Sequence, residues 1–431
     1  MKNFLRNVLA DTLAVLARAV LRKYKPQVVM VTGSVGKTST KDAVTAVLHE
    51  KFYIWASKKN FNSEFGVPLT IFGMADYWHG PKDWVKVIGE AIALILFPNH
   101  YPKILVLEVG ADSPGDLARI LRIATPDVVV VTRLPDMPVH VEAYATPAAV
   151  REEEFAPAYA LVPGACLIVS ADDQFARALA APLSVQLKTY GVSPDADVRV
   201  VSDSPCVEDG FVTGMEGVIT IAGKEEKITV AGALGRPQLL APAAAIAVGQ
   251  AFGMTTKEII RGVEAYQPPP GRGRLIRGKN SSLILDDSYN ASPAAVKEAL
   301  ASLQILKNAM LGSRRIAALG DMLELGRYSK DEHETVGKEA AGKCDVLVTV
   351  GTRSRASAEA AQAAGMKEGA VHTFETSFEA ANFLKDFVQE KDVILVKGSQ
   401  SIRMERVAEA LLADPYDAKL LVRQDRFWKR N

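Results

Sequence analysis

The sequence has few of the features that mark secreted, metal-stapled or nucleic-acid-binding proteins. Only 3 of its 431 residues are cysteine. Cys166, Cys206 and Cys344 form no CxxC pair, which argues against a disulfide framework or a zinc site and favours a reducing cytoplasm. The 51 basic and 50 acidic side chains nearly cancel, so no global field draws the chain to nucleic acid. We therefore expect a cytoplasmic globular protein with no nucleic-acid partner.

The sequence also contains no apolar run long enough to span a bilayer. Residues 1–25 instead predict an amphipathic helix, whose apolar positions recur at helical spacing: Leu5, Val8, Leu9, Leu13, Leu16, Val20 and Leu21. Charged residues such as Arg6 and Arg18 interrupt this stripe, and no small-residue cleavage site follows it. Two interpretations stay open. The helix packs on the following domain, or the basic cluster Arg22, Lys23 and Lys25 makes weak contact with anionic lipid.

A phosphate-binding loop follows this helix directly. Val28–Val31 is typical of a buried parallel strand, and residues 41–50 predict an amphipathic helix. Between them, GSVGKT supplies glycines that let backbone N–H groups approach phosphate oxygens. Lys37 would contact the β- and γ-phosphates, and Thr38 would contact Mg²⁺. A purely structural glycine turn is the alternative. The predicted nucleotide-binding residues of the loop are Gly33, Ser34, Val35, Gly36, Lys37, Thr38 and Ser39.

Strand-like and helix-like patterns alternate over the next 230 or so residues, which predicts a mostly parallel sheet. The run 104–109 carries Glu108 at its carboxyl end, where open α/β sheets bind ligands. A second buried run, 128–132, precedes a loop that contains His140, a candidate metal or phosphate contact. Residues 77–100, rich in tryptophan and aliphatic side chains, predict an inserted helical hairpin or a covering element.

Residues 207–271 differ from the preceding strand–helix alternation and end in a proline-rich linker. Short alternating runs over 207–230 predict a small antiparallel sheet, and 232–253 predicts a long alanine-rich helix that closes the domain. The prolines of 266–271 forbid continued helix. We therefore divide the chain into an N-terminal helix (1–25), a central domain (26–266) and a C-terminal domain (267–431).

The C-terminal part shows a second strand–helix alternation, with strands predicted at 282–285, 315–319, 346–350 and 393–396. Polar loops follow three of these strands: Asp286–Pro293, Gly320–Gly326 and Lys397–Ser399. Helix capping explains such residues one at a time. As a set at one edge of a sheet, they favour a binding face. The predicted fold is α/β, with a parallel-sheet phosphate-loop ATPase domain followed by a smaller doubly wound, Rossmann-like domain.

Ten segments in order resemble the Mur ligase family. They are VTGSVGKTST (31–40), NFNSEFGVPLTI (60–71), LEVGADSPGDL (107–117), PDVVVVT (126–132), HVEAY (140–144), SADD (170–173), PPPGR (268–272), LDDSYNASP (285–293), IAALGDMLELG (316–326) and VKGSQSIRMERV (396–407). The phosphate loop and VGAD are shared across the family. DDSYNASP, GDMLELG and KGSQSIRMERV point to the branch that adds D-Ala-D-Ala to UDP-muramoyl tripeptide in peptidoglycan synthesis.

The resemblance implies an ATP-dependent amide ligase that acts through an acyl phosphate, with ATP and Mg²⁺ as cofactors and a monomer as the expected state. It implies catalytic roles for Lys37, Glu108 and His140, and metal contacts by Thr38, Glu108 and His140. It implies nucleotide contacts by Arg272, Asn290 and Asp321. Substrate contacts fall to Asn290, Ser399 and Arg403.

Three departures from the family pattern stand out. Such ligases open with a domain that holds the UDP group, whereas here only the helix 1–24 precedes the phosphate loop. Another protein, the insert 77–100 or a different substrate could account for this difference. The family's carbamylated lysine is absent from 149–155, where Glu152, Glu153 or Glu154 could supply the charge instead. Arg236-Pro237-Gln238 stands where the family commonly has a His-Asn pair. A ligase for another carboxylate and a non-catalytic nucleotide-binding protein are the alternatives. The intact phosphate-loop residues disfavour a non-catalytic nucleotide-binding protein. The GDMLELG segment disfavours a ligase for another carboxylate.

Overall fold

The computed structural model describes residues 2–58, 61–74, 81–310, 312–425 and 428–429. The first part of the chain contains helices α1 (Lys2–Tyr24), α2 (Lys37–His49), α3 (Gly66–Ile71), α4 (Pro81–Leu96), α5 (Asp116–Leu121), α6 (Pro147–Tyr159), α7 (Gln174–Ala180), α8 (Pro237–Ala251) and α9 (Thr256–Ala265). Its strands are β1 (Gln27–Thr32), β2 (Ile54–Ala56), β3 (Ile104–Glu108), β4 (Val128–Val131), β5 (Cys166–Ser170), β6 (Gln186–Gly191), β7 (Val198–Glu208), β8 (Phe211–Ile221) and β9 (Lys224–Ala231).

The second part contains β10 (Arg274–Arg277), β11 (Leu283–Asp287), β12 (Arg315–Gly320), β13 (Val346–Val350), β14 (Val371–Phe374) and β15 (Val393–Lys397). The helices between and after these strands are α10 (Pro293–Ala309), α11 (Ser329–Lys343), α12 (Arg355–Ala363), α13 (Ser377–Phe387) and α14 (Glu405–Leu411).

The first sheet has nine strands in the order β2-β3-β1-β4-β5-β6-β7-β8-β9, parallel from β2 to β7. Its strands β3 and β4 are buried along their whole length, as expected where helices cover both faces of a parallel sheet. β2 and β3 lie on one side of β1, and the strands that follow them in the chain, from β4 onward, lie on its other side. This is the switch point at which open α/β sheets bind ligands, and the loops after β1, β3 and β4 meet there.

The second sheet has the order β10-β11-β15-β12-β13-β14 and is parallel except for β10. Alternate residues of β12 belong to different core clusters: Ala317 and Leu319 to one, Ile316 and Ala318 to another. Both faces of the sheet are therefore covered, which confirms the predicted doubly wound fold. The cluster containing Leu319 continues into the first sheet, so apolar packing connects the two sheets.

The N-terminal helix packs on the protein. Leu13, Ala17 and Val20 are fully buried, and the Tyr24 ring stacks on Tyr101 with centroids 4.3 Å apart. Lys23 Nζ donates to the last carbonyls of α4 and just beyond, at 2.6–3.0 Å. One member of the basic cluster is thus used inside the fold, which favours the packed interpretation. None of the described helices has the length and apolarity needed to cross a bilayer.

The predicted insert is one helix where it is described. Residues 81–96 form α4, which packs against α1, so this part is a covering element and not a hairpin. The preceding residues 77–80, including Trp78, lie outside the described residues.

Two further predictions differ from the structure. The antiparallel strands begin at Val198 and extend the first sheet, because β7 pairs parallel with β6 before β8 folds back on it. The alanine-rich helix begins only at Pro237, after a turn at Gly235. It does not close the domain, since α9 follows it. The Thr255–Glu258 capping box of α9 is a helix-start signal that the sequence does contain.

Candidate functional site

The loop between β1 and α2 has the geometry of an anion-binding turn. Gly33 and Gly36 have φ values of 118° and 91°, in the left-handed region that favours glycine. A Cβ atom at Gly33 would overlap Thr132 Oγ1, so the turn requires glycine there. α2 begins at Lys37 with no side-chain cap among the described residues. Its first N–H groups and the positive end of its dipole therefore face the loop, as a phosphate site requires.

The Lys37 side chain lies over this loop. Its ammonium donates a hydrogen bond to the carbonyl oxygen of Gly33, and Nζ lies 3.9 Å from Glu154 Oε1. The side chain is 17% exposed, so it is largely shielded yet reachable from the cavity above the loop. A cation in this position can stabilise the negative charge of a phosphoryl group.

Glu108 supplies a buried carboxylate at the carboxyl end of β3. It is 3% exposed, and Oε1 accepts a hydrogen bond from Thr38 Oγ1 at 3.0 Å. Oε2 is buried and has no hydrogen-bond partner in the described part of the chain. Burial raises the pKa of Glu108, although Lys41, Lys37 and Arg272 act in the opposite direction. A carboxylate oxygen without a donor suits a bound cation.

His140 follows β4, lines the same cavity as Lys37 and Glu108, and has a left-handed backbone (φ 63°). Nδ1 is 2.8 Å from Glu324 Oε2, and Nε2 is 3.5 Å from Asp112 Oδ1. Burial lowers the pKa of His140, but the hydrogen bond and charge of Glu324 outweigh it, and the net pKa is raised. The sequence assigned no role to Glu324, which reaches His140 from the loop after β12. Its only signal was membership of the polar segment 320–326.

The three consecutive glutamates of α6 point to different places, because successive helical residues are about 100° apart. Glu152 accepts from the Tyr159 hydroxyl at 2.7 Å. Glu153 accepts from backbone N–H groups at the start of α5, at 3.0–3.1 Å. Only Glu154 faces the phosphate loop: it is 2% exposed and accepts a hydrogen bond from Ser34 Oγ. Burial raises the pKa of Glu154, while Lys37 and Ser34 oppose the rise.

These groups surround a cavity of about 290 Å³, called the phosphate cavity below. The predicted site residues that line it are Ser34, Val35, Gly36, Lys37, Thr38, Glu108, His140, Arg272 and Asn290. Among the described residues, no group of three or more His, Cys, Asp and Glu side chains is arranged to hold a metal ion. Mg²⁺ commonly takes only one or two protein carboxylates and completes its shell with phosphate oxygens and water. Thr38 and Glu108 fit that pattern, and His140 lines the same cavity.

The C-terminal part contributes Arg272 and Asn290 to this cavity. The Arg272 guanidinium stacks 4.0 Å from the centroid of the Tyr289 ring, and its buried Nε has no hydrogen-bond partner within the described residues. Gln238 Nε2 donates to the main-chain oxygen of Arg272 at 2.9 Å. The main-chain oxygen of Asn290 accepts from Lys397 Nζ at 3.0 Å. Lys397 is 2% exposed, so it fixes the loop from within.

Asp321 and Ser399 do not line the phosphate cavity. Asp321 is 3% exposed and accepts from the backbone N–H of Ser354 at 2.7 Å. Ser399 Oγ accepts from the backbone N–H of Leu323 at 2.9 Å. Both side chains hold neighbouring loops together in this structure. Their predicted roles toward nucleotide and substrate stay predictions.

Arg403 and Ser39 also lie outside the phosphate cavity. Arg403 Nε is 2.5 Å from Glu405 Oε1, and its NH2 group donates to the Trp428 carbonyl oxygen at 3.0 Å. Ser39 is the third residue of α2 and lines two other cavities beside the loop. Binding roles for these residues likewise stay predictions.

A larger cleft of about 1040 Å³ adjoins the phosphate cavity. Residues of 54–58 and 61–74 in the first part form one wall, and residues 421–425 of the second part form the other. The two spaces share four lining residues: Thr38, Arg272, Tyr289 and Gln400. A ligand lying in the cleft can therefore place one end beside the phosphate loop.

The sequence of this chain is similar to those of known proteins. Residues 31–249 match the family described as the Mur ligase middle domain, and residues 271–400 match the Mur ligase glutamate ligase domain. The chain is 28% identical over 409 residues to the UDP-N-acetylmuramoyl-tripeptide--D-alanyl-D-alanine ligase of Bacillus subtilis, covering 94% of this chain and 80% of that protein. It is 28% identical over 400 residues to the ligase of the same name from Escherichia coli, covering 92% and 79%.

The fold of this chain is also similar to solved structures. The MurF ligase from Thermotoga maritima in complex with ADP superposes with a TM-score of 0.75 at 26% identity, covering 95% of this chain and 84% of that one. A MurF structure from Acinetobacter baumannii superposes with a TM-score of 0.75 at 22% identity, a likeness of fold.

Proposed function

The chain belongs to the Mur ligase family, and from that premise we propose that it joins D-Ala-D-Ala to UDP-muramoyl tripeptide at the expense of ATP. The observation that carries this proposal is the phosphate cavity itself. There Lys37, Thr38 and the unpartnered oxygen of Glu108 face one another beside a cleft for a second ligand. The relatives at 28% identity carry this ligase name.

In the proposed reaction the loop N–H groups and Lys37 hold the β- and γ-phosphates of ATP. The γ-phosphoryl group passes to the acceptor carboxylate, and its bond to ADP breaks. The amine of the dipeptide then attacks the activated carbonyl carbon, and phosphate leaves. Bound Mg²⁺ would supply positive charge to the phosphate oxygens, held by Thr38, Glu108 and His140. The protein's main contribution is to align these reactants.

We assign the acceptor to the large cleft. Its carboxylate end would lie at the junction of cleft and cavity, where Arg272 presents a guanidinium whose Nε has no described partner. A guanidinium at that point can neutralise both the carboxylate and the phosphoryl group that joins it. The largely apolar remainder of the cleft, including Trp55 and Phe61, suits the non-ionic part of a peptide substrate.

We further propose that the protein works in the cytoplasm as a monomer without a nucleic-acid partner. Its three cysteines are free thiols, and its formal charge is +1. The weak lipid contact considered for residues 1–25 would have to use α1 residues other than its buried stripe.

Phosphate release from ATP tests the proposal. It should require UDP-muramoyl tripeptide and D-Ala-D-Ala together, and the product mass should equal the sum of the two minus water. Release with another carboxylate–amine pair, but not with this one, would favour a ligase of different substrate. Tight ADP binding with no turnover on any acceptor would favour a non-catalytic nucleotide-binding protein.

A further inference from the structure

The contact between His140 and Glu324 joins the two parts of the molecule at the phosphate cavity. His140 follows β4 of the first sheet, whereas Glu324 follows β12 of the second. Their side chains meet at 2.8 Å, from Nδ1 to Oε2. His140 is 25% and Glu324 45% exposed at the side chain, so the contact lies at the rim of the cavity.

Both residues of this contact have a left-handed backbone conformation. His140 and Glu324 each have a φ of 63°, a left-handed conformation that costs a side-chain-bearing residue on the order of 1 kcal/mol or more. The backbone N–H of Glu142 donates to the Glu324 carbonyl oxygen at 3.3 Å. Gly326 packs so closely on Glu142 that an added Cβ would lie 3.0 Å from its Cβ. The docking of the two loops therefore fixes both side chains.

The hydrogen bond also decides which imidazole nitrogen is available. Nδ1 donates its proton to the Glu324 carboxylate, so the lone pair of a neutral ring lies on Nε2. Nε2 is the nitrogen on the Asp112 side, 3.5 Å from Oδ1. Metal-binding histidines commonly use such a carboxylate partner, which orients the ring and increases its basicity.

We propose that Glu324 is the positioning residue for His140, so that the histidine is arranged to bind a divalent cation only when the two domains are docked. This inference rests on the metal site of the proposed function. Because the partner carboxylate comes from the other domain, undocking leaves the ring free to rotate and to change tautomer. Cation binding and docking therefore favour each other reciprocally.

The test measures binding of Mn²⁺, as a paramagnetic probe for the Mg²⁺ site, to the full chain saturated with ADP. Free Mn²⁺ is followed by electron paramagnetic resonance. Glu324→Ala should weaken Mn²⁺ binding about 10- to 100-fold, the usual range for losing the carboxylate behind a ligating histidine. Glu324→Gln still accepts the Nδ1 proton, so its loss should be several-fold smaller. The Gln variant conserves shape and keeps the test available if the Ala variant folds poorly.

Glu298→Gln is the matched control. Glu298 forms another ion pair between the two parts of the chain, with Arg133, but it does not contact His140. Its Mn²⁺ affinity should stay within about twofold of the native protein. Equal weakening by Glu298→Gln and Glu324→Ala would overturn the positioning role, because any loosening of the domains would then suffice.

His140→Ala separates this inference from the proposed function. If His140→Ala weakens Mn²⁺ binding and Glu324→Ala does not, the positioning role is wrong and the metal site stands. If His140→Ala binds Mn²⁺ like the native protein, the histidine is not a ligand and both assignments fail. The imidazole ¹⁵N shifts of His140 provide a second readout. In the native protein saturated with Mg²⁺ and ADP, and without Mn²⁺, the shifts should show the imidazole proton on Nδ1. In Glu324→Ala this preference for Nδ1–H should be lost.

Discussion

Glu154 Oε1 lies 3.9 Å from Lys37 Nζ, so a carboxylate from α6 faces the cation of the phosphate loop. The same side chain accepts a hydrogen bond from Ser34 Oγ. Glu152 and Glu153, its neighbours in sequence, are engaged elsewhere. Where related ligases carry a carbamylated lysine, this chain therefore has one candidate for the missing negative charge among the three.

If Glu154 supplies that charge, Glu154→Gln should lower turnover by about 10²–10³, the usual effect of removing one positioned electrostatic group. Added Mg²⁺ should partly restore activity, and bicarbonate should have no effect on the native enzyme because nothing is carbamylated. Steady-state phosphate release measures all three effects. The exposed Glu152→Gln variant is the control and should be nearly silent. A fully active Glu154→Gln enzyme would favour water in place of the carboxylate.

Lys37→Ala should reduce turnover by about 10²–10³ or more while the fold is kept, because the lysine makes its phosphate contact only when nucleotide is bound. Single-turnover phosphate release measures the rate, and thermal unfolding by circular dichroism checks the fold. Lys227, whose side chain on β9 is 66% exposed, allows a matched Lys227→Ala comparison. Near-normal turnover of Lys37→Ala would remove the phosphate-loop assignment.

Nucleotide and acceptor should compact the molecule about the linker 266–271. The structure shows the two parts docked through the His140–Glu324 and Arg133–Glu298 contacts, and ligands that bind between them should favour this state. Small-angle scattering should give a smaller radius of gyration with ADP, Mg²⁺ and tripeptide than without them. The prediction would be contradicted if the ligand-free protein is more open than this structure and its radius of gyration does not decrease when the ligands are added.

Asp286 should make stability depend on pH. Burial raises the pKa of this fully buried carboxyl from 3.8 to about 6, and its Oδ2 has no hydrogen-bond partner among the described residues. Because the folded state holds the proton more tightly than the unfolded state, this group destabilises the fold as pH rises from about 4 to about 6. The penalty is complete above that range, at about 3 kcal/mol.

Asp286→Asn cannot ionise, so it should be more stable than the native protein at pH 7 and lose that advantage below pH 4. Urea unfolding at pH 4, 5, 6 and 7 measures the difference. Asp209→Asn, at an exposed position, is the control. An Asn variant whose advantage is constant with pH would show that Asp286 does not titrate in this range.

The sequence alone determined the fold class and the glycine turn between β1 and α2. Buried parallel strands must be apolar along their length, so β1, β3 and β4 appear as apolar runs, and the polar residues of β1 and β3 stand only at their ends. The glycines, Lys37 and Thr38 are local in sequence, and their roles depend on one turn of chain. Local features of this kind can be read without tertiary contacts. The missed α9 was also local, since its capping box is present in the sequence.

Only the tertiary structure decided which carboxylates meet the loop. Three adjacent glutamates look alike in sequence, and the angle between successive helical residues sends Glu154 alone into the cavity. Glu324 meets His140 because two sheets dock, a relation between residues distant in the chain that no spacing predicts. Asp321 and Ser399 show the converse, since residues that follow strands in sequence can turn inward to satisfy neighbouring backbone N–H groups. Proximity across domains depends on packing of the whole core, which a linear pattern does not encode.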